Sequence, residues 1–115
     1  MVIEWLRFQV AETDQIHFLE QDLAIWTQAL AAQPGFVSKE VWLNPAAPRD
    51  LILVIRWRTR EQWQAICPKF LAEIEAQFCS ALGERDYQMV ETGEFQPHKL
   101  PRVHVNIPPD WCPSL

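Results

Sequence analysis

Two spacings of apolar residues take turns along the chain. Residues 2–10, VIEWLRFQV, alternate with period two: Val2, Leu6, Phe8 and Val10 fall on one side, and Ile3, Trp5, Arg7 and Gln9 on the other. That pattern predicts a β-strand with two unlike faces. Thr13 or Asp14 then stands as a helix cap before Ile16, Leu19, Leu23, Trp26 and Leu30, which recur at helical spacing until Gln33-Pro34-Gly35 ends the run. Alternation returns in FVSKEVWLN (Phe36 to Asn44), a turn is marked by NPAAPRD (Asn44 to Asp50), and LILVIRWR (Leu51 to Arg58) is nearly all apolar. These two segments predict a hairpin whose second strand is central and buried on both sides. Thr59 and Gln62 fit the capping box that opens a helix, and Pro68 must break it, because proline lacks an N–H and clashes with the turn before it. A second piece carries Phe70, Ile74, Phe78 and Leu82 on one side and stops at Gly83. Tyr87 to Gln96 predicts a last strand, with a bulge or bend at Gly93.

The order β-α-β-β-α-β is that of a ferredoxin-like α+β fold: a four-stranded antiparallel sheet with two helices on one face. Residues 1–96 form this domain, and residues 97–115 a proline-rich C-terminal arm. Within the arm, Arg102 to Ile107 alternates and could add a strand to a partner subunit.

With Leu6, Phe8 and Val10 toward the helices, Val37, Val41 and Leu43 follow in the second strand, and Leu51, Leu53, Ile55 and Trp57 in the third. Lys39 is the exception on that side. The opposite face collects Trp5, Arg7, Gln9, Glu40, Trp42, Arg56 and Arg58. Such a mixture is too apolar for water and too polar for a core, and it suits a homodimer built sheet against sheet, with Trp and Arg as anchors.

Composition narrows the function classes. A chain of 115 residues, 49% hydrophobic and 22% charged, is one small domain. A net charge of -5 with only ten Lys and Arg argues against nucleic acid, where basic residues supply most of the affinity. No apolar run approaches the roughly 18 residues of a membrane span, and no signal-peptide layout is present, so a cytoplasmic protein is expected. Cys67, Cys79 and Cys112 lack zinc or disulfide spacing and read as free, mostly buried thiols. His17, His98 and His104 show no metal spacing, so no metal is expected.

Six tryptophans in so short a chain need large spaces to fill. Trp57, Trp63 and Trp26 either line a pocket for a flat aromatic molecule or plug the helix-sheet core. Cys67, beside Pro68 at a helix start, is a candidate nucleophile if His17 or His98 approaches it, and otherwise an inert thiol. Arg56 and Arg58 either bind an anion or pair with Glu40 or Glu4.

Pro34-Gly35-Phe36 before the second strand and the W-x-T-x-E-x-W run of Trp57, Thr59, Glu61 and Trp63 resemble the dimeric α+β barrel superfamily, specifically its antibiotic biosynthesis monooxygenase-like domain. The opening VIEWLRFQV and the segment VIRWRTREQWQAI are similar to a group of short cyanobacterial-type proteins. The resemblance covers residues 1–96 and implies a homodimer with a pocket between helices and sheet in each subunit, at which Trp57, Trp63, Trp26, Leu53, Ile66, Phe8 and Cys67 are the lining candidates. Leu53 stands where some monooxygenases have an amide, and Ile66 and Cys67 where many relatives have a histidine. Leu6, Ile66 and Glu75 or Ala76 replace the asparagine, tryptophan and histidine of haem-degrading relatives, which argues against haem degradation. The resemblance thus implies a cofactor-independent monooxygenase for a small aromatic or hydrophobic substrate; the alternative is a non-catalytic homodimer that binds a small hydrophobic ligand or acts as an interaction scaffold.

Overall fold

The computed structural model describes residues 1–98, so the alternating segment at 102–107 and all of the arm beyond His98 lie outside the described residues. Strand β1 spans Val2–Val10, β2 Phe36–Leu43, β3 Asp50–Trp57 and β4 Tyr87–Phe95. They form one antiparallel sheet in the order β2-β3-β1-β4, the ferredoxin-like arrangement the sequence predicts. β3 is central, and Leu51, Val54 and Trp57 on it are wholly buried, as its unbroken apolar run requires.

The helix-facing side holds two packed groups. Val10, Phe18, Leu51, Phe78 and Leu82 form one. In it Phe18 meets Phe8 at 5.2 Å, Phe78 at 5.3 Å and Tyr87 at 5.7 Å between ring centroids. Val2, Leu30, Ile55, Trp57 and Ile66 form the other, with Phe36 edge-on to Trp57 at 5.7 Å. Burying each such side chain stabilises the fold by roughly 1.5–3 kcal/mol, so these rings fix how the helices sit on the sheet.

The first helical region departs from expectation. A short 3₁₀ turn at Glu12–Asp14 leads into α1 (Gln15–Gln21), then a π-helical segment (Asp22–Thr27), then α2 (Gln28–Ala31). Neither Thr13 nor Asp14 caps α1 through its side chain. Ile16 and Leu23, expected to face inward, are 74% and 59% exposed. Trp26 and Leu30 do face inward, but with Phe18 and Asp22, so that this stripe steps four residues at a time. In an α-helix each four-residue step over-rotates by about 40°, and the wider π turn takes up that drift.

Three smaller corrections concern the strands. The helix face carries Glu4 as well as Lys39 among its strand residues, since Glu4 pairs in register with Ile55. A bulge between Phe36 and Ser38 turns Phe36, rather than Val37, toward Trp57, and leaves Val37 43% exposed. The bulge of β4 falls at Val90, between the Arg7–Glu91 and Phe8–Met89 pairs, and not at Gly93.

The second helical region forms as its caps dictate. The Thr59 hydroxyl accepts from the Gln62 N–H at 3.1 Å, which starts α3 (Arg60–Gln64). Pro68 stands at the first position of α4 (Pro68–Leu82), where its missing N–H costs nothing. Gly83 ends α4 at φ +63° and ψ -138°, a conformation open only to glycine without strain. Gly35, at φ +89°, also accepts the Arg58 N–H at 2.7 Å, and a Cβ there would lie 2.4 Å from Gln62 Oε1. We predict that Gly83→Ala costs about 1–3 kcal/mol in urea unfolding, as positive-φ strain alone. Gly35→Ala should cost more, because it also displaces the capping glutamine. That excess should vanish in a Gln62→Ala background, and an excess that persists would refute the steric coupling.

Candidate functional site

Between the helices and the sheet lies a cavity of ≈ 1150 Å³. It is at the upper end of the size that small-molecule sites take. Phe8, Leu53, Trp26, Trp63 and Ile66 are among its walls. Trp57 and Cys67 are not. Trp57 is a core residue with no exposed surface, and its indole N–H donates to Glu4 Oε1 at 3.2 Å. Cys67 is exposed at the cap of α4 and Cys79 is exposed too, contrary to the expectation of buried thiols, because neither belongs to the Ile74, Phe78 and Leu82 stripe that this helix buries. His17 is no partner for Cys67. Its ring nitrogen lies 3.3 Å from the Ala81 carbonyl in the last turn of α4, about 20 Å along the helix from Cys67.

One corner of the cavity is polar, and it is built from three elements. Lys39 of β2 sends its ammonium under the helices, where it donates to Asp22 Oδ2 at 2.7 Å and to Thr27 Oγ1 at 2.9 Å. The Lys39 and Asp22 side chains are only 5% and 6% exposed. Asp22 and Thr27 are the two ends of the π segment. Five residues of α-helix would turn them about 140° apart, whereas a π turn brings them to one side, so the irregular helix is what lets both reach the same cation. Glu4 of β1 completes the corner. From the sequence Glu4 is expected only as a partner for the arginines, and Asp22 has no assigned role. Strict alternation puts Glu4 on the face of Leu6 and Phe8, which was a usable signal; for Asp22 the π turn hides the phase.

Burial raises the Asp22 carboxyl above its ordinary value, against the stabilising Lys39 charge. Burial also raises the Glu4 carboxyl, against the hydrogen bond from Trp57 and the more distant Lys39 charge. On the far wall the Tyr87 hydroxyl is pushed up to about 12 by its hydrogen bond with Cys79, 3.3 Å away, so it stays a neutral phenol at neutral pH. Among the described residues no group of three His, Cys, Asp or Glu side chains could hold a metal.

The opposite face of the sheet carries the predicted interface residues together. Trp5 meets Phe95 edge-on at 6.3 Å, and Trp42 and Phe95 are 45% and 54% exposed. Arg56 pairs with Glu40, whose carboxyl it holds below the usual range, and Arg7 bridges Glu91 at 3.0 Å and Asp50 at 3.5 Å. Arg58 is exposed and has no ion pair among the described residues. Glu4, considered as a partner for these arginines, lies on the other face.

The antibiotic biosynthesis monooxygenase family model matches residues 1–67, more than half of the chain. The chain belongs to that family. Its fold is shared with the cofactor-independent oxygenase SnoaB from Streptomyces nogalater, at a TM-score of 0.58 and 20% identity over 86% of this chain and 94% of that one. An antibiotic biosynthesis monooxygenase-type protein from Deinococcus radiodurans aligns at a TM-score of 0.62 and 15% identity, over 90% of this chain and 99% of the other. A conserved protein from Methanosarcina mazei aligns at 0.59 and 14% identity, over 84% and 92%. No curated protein matches the chain in sequence. Among the described residues no helix is long and apolar enough to cross a membrane.

The raised Glu4 carboxyl of this family member gives a signed pH prediction. In the unfolded chain Glu4 ionises near 4.5, and in the folded chain only at higher pH. Its contribution to stability is therefore present below 4.5 and is lost as pH rises through the folded value. Glu4→Gln removes that loss, so the variant's urea midpoint should gain on the wild type between about pH 4 and about pH 7. A difference that does not change with pH would contradict the desolvated carboxyl.

Proposed function

We propose that the cavity binds a small aromatic or hydrophobic substrate and that the protein oxygenates it with molecular oxygen and no cofactor. The observation that carries this reading is the pocket itself: largely apolar, walled by Trp26, Trp63 and Phe8, with Glu4, Asp22 and Lys39 together in one corner. An electron-rich substrate supplies its own electrons. A ring-flanked CH₂ becomes a carbonyl; one oxygen atom of O₂ is inserted, the other leaves as water with the two hydrogens, and the substrate provides all four electrons. The protein then has to orient the substrate and exclude water, which a concave, mainly apolar pocket does once the substrate fills it. Family membership supports this chemistry, and the SnoaB neighbour is named for it. The free thiols of Cys67 and Cys79 suit a reducing, cytoplasmic setting.

Anthrone, a flat tricycle with a CH₂ between two rings, is a suitable probe. With no flavin, haem or metal added, the protein should bind it and consume oxygen above the protein-free rate. Ala72→Trp, which fills the cavity from its α4 wall, should weaken binding about tenfold or more and abolish the added uptake. Binding without uptake would instead support the non-catalytic ligand-binding protein, and unchanged binding in Ala72→Trp would remove the cavity from the reading.

We also propose that two copies pair through the open sheet face, as is typical of the family. Trp42, Trp5 and Phe95 supply broad rings, and the Arg56–Glu40 and Arg7–Asp50 pairs neutralise the charges between them. Sedimentation equilibrium should give twice the chain mass of 13.5 kDa. Trp42→Glu, on the β2 edge of that face, should raise the dissociation constant by roughly 30-fold or more, the effect of losing an interface anchor. A wild-type monomer at micromolar concentration would rule the interface out.

A further inference from the structure

The charges around the cavity do not balance. Its walls carry four carboxyl side chains, Glu4, Asp22, Glu75 and Glu94, against the single ammonium of Lys39, among the described residues. Lys39 is committed: Asp22 at 2.7 Å neutralises it and Thr27 takes a second proton donor at 2.9 Å, with both charged side chains almost fully enclosed. Glu94 has its own cation in Arg60, 2.8 Å away. Glu75 accepts from the Cys79 thiol at 3.3 Å, which leaves its charge uncompensated. Glu4 accepts from Trp57 with one oxygen, and its other oxygen has no hydrogen-bond partner among the described residues. Tyr87, the remaining ionisable group on the wall, stays neutral.

A carboxyl set in an apolar, poorly solvated wall without a cation of its own is costly when ionised, and a ligand that brings the missing charge recovers that cost as binding energy. The aromatic walls work in the same direction, since the faces of Trp26 and Trp63 attract cations. An anionic ligand meets the reverse: it would add negative charge to a wall already rich in it, and the one cation could serve it only by giving up Asp22.

We propose that the cavity selects a hydrophobic amine, its apolar body against Trp26, Trp63 and Phe8 and its ammonium paired with the free oxygen of Glu4. This deepens the preceding proposal and rests on the cavity being a ligand site; it adds the charge of the substrate. Glu75, exposed at the rim, gives the amine a negative surface to pass on its way in.

Three probes with one ring system test it by titration calorimetry at neutral pH and fixed low salt: 1-naphthylmethylamine, 1-naphthalenemethanol and 1-naphthoate. The amine should bind about tenfold tighter than the alcohol, and the naphthoate most weakly. Glu4→Gln, which keeps the acceptor for Trp57, should bring the amine down to the level of the alcohol. If that variant fails to fold, the ranking of the three probes on the wild type still decides. An amine no tighter than the alcohol, a preference for the naphthoate, or an amine preference that survives Glu4→Gln would each overturn the charge assignment while leaving the cavity as a site. Absence of binding by all three would overturn the cavity reading together with this one.

Discussion

Lys39 places an ammonium on the helix-facing side of a strand, and much of the structure above it answers to that charge. A cation in so dry a position costs several kcal/mol unless it is paired and hydrogen-bonded. Asp22 and Thr27 supply both requirements, and they can do so only because the helix between them is wound as a π turn. The same turn sets the inward stripe of Phe18, Asp22, Trp26 and Leu30, which fixes the helix over β1 and β3. One ion pair therefore ties the phase of the first helical region to the edge strand and leaves Trp26 facing the cavity.

Both packed groups border the cavity, Phe18, Phe78 and Tyr87 lining it from one and Leu30, Ile55 and Ile66 from the other. Pro68 contributes by breaking the second helical region, so that Trp63 and Ile66 come from α3 and the link after it, and Leu71, Ala72 and Glu75 from α4. Leu53 and Ile66, where the family resemblance would place an amide and a histidine, are apolar residues of the cavity wall. The charged corner of the cavity is formed by Glu4, Asp22 and Lys39.

The two faces of the sheet divide the labour. On the open side the charged groups find partners within the chain, Arg56 with Glu40 and Arg7 with Asp50 and Glu91, so the surface offered is one of broad rings among neutralised pairs. On the helix side the polar groups are few, desolvated and incompletely paired. Pairing on a half-exposed face contributes little to stability, whereas a carboxyl raised by burial, as Glu4 is, marks where binding energy can be gained.

Sequence by itself determined the strand order, the hairpin, the capping box at Thr59, the break at Pro68, the stop at Gly83 and the two-faced sheet. Each of these follows from period-two alternation or from the backbone limits of a single residue, and both are local properties. Phe8 and Leu53 line the cavity from the strand face that alternation turns toward the helices, whereas Trp26, Trp63 and Ile66 reach it from the helical regions. Tertiary structure alone decided that Trp57 is core and not wall, that Ile16 and Leu23 face water, and that Asp22 lies under the helix against Lys39. A helical pattern in sequence assumes a constant rotation per residue, and the π turn breaks that assumption. A buried charge is stable only through partners brought from distant strands and helices, so neither the turn nor its reason can be seen until the chain is folded.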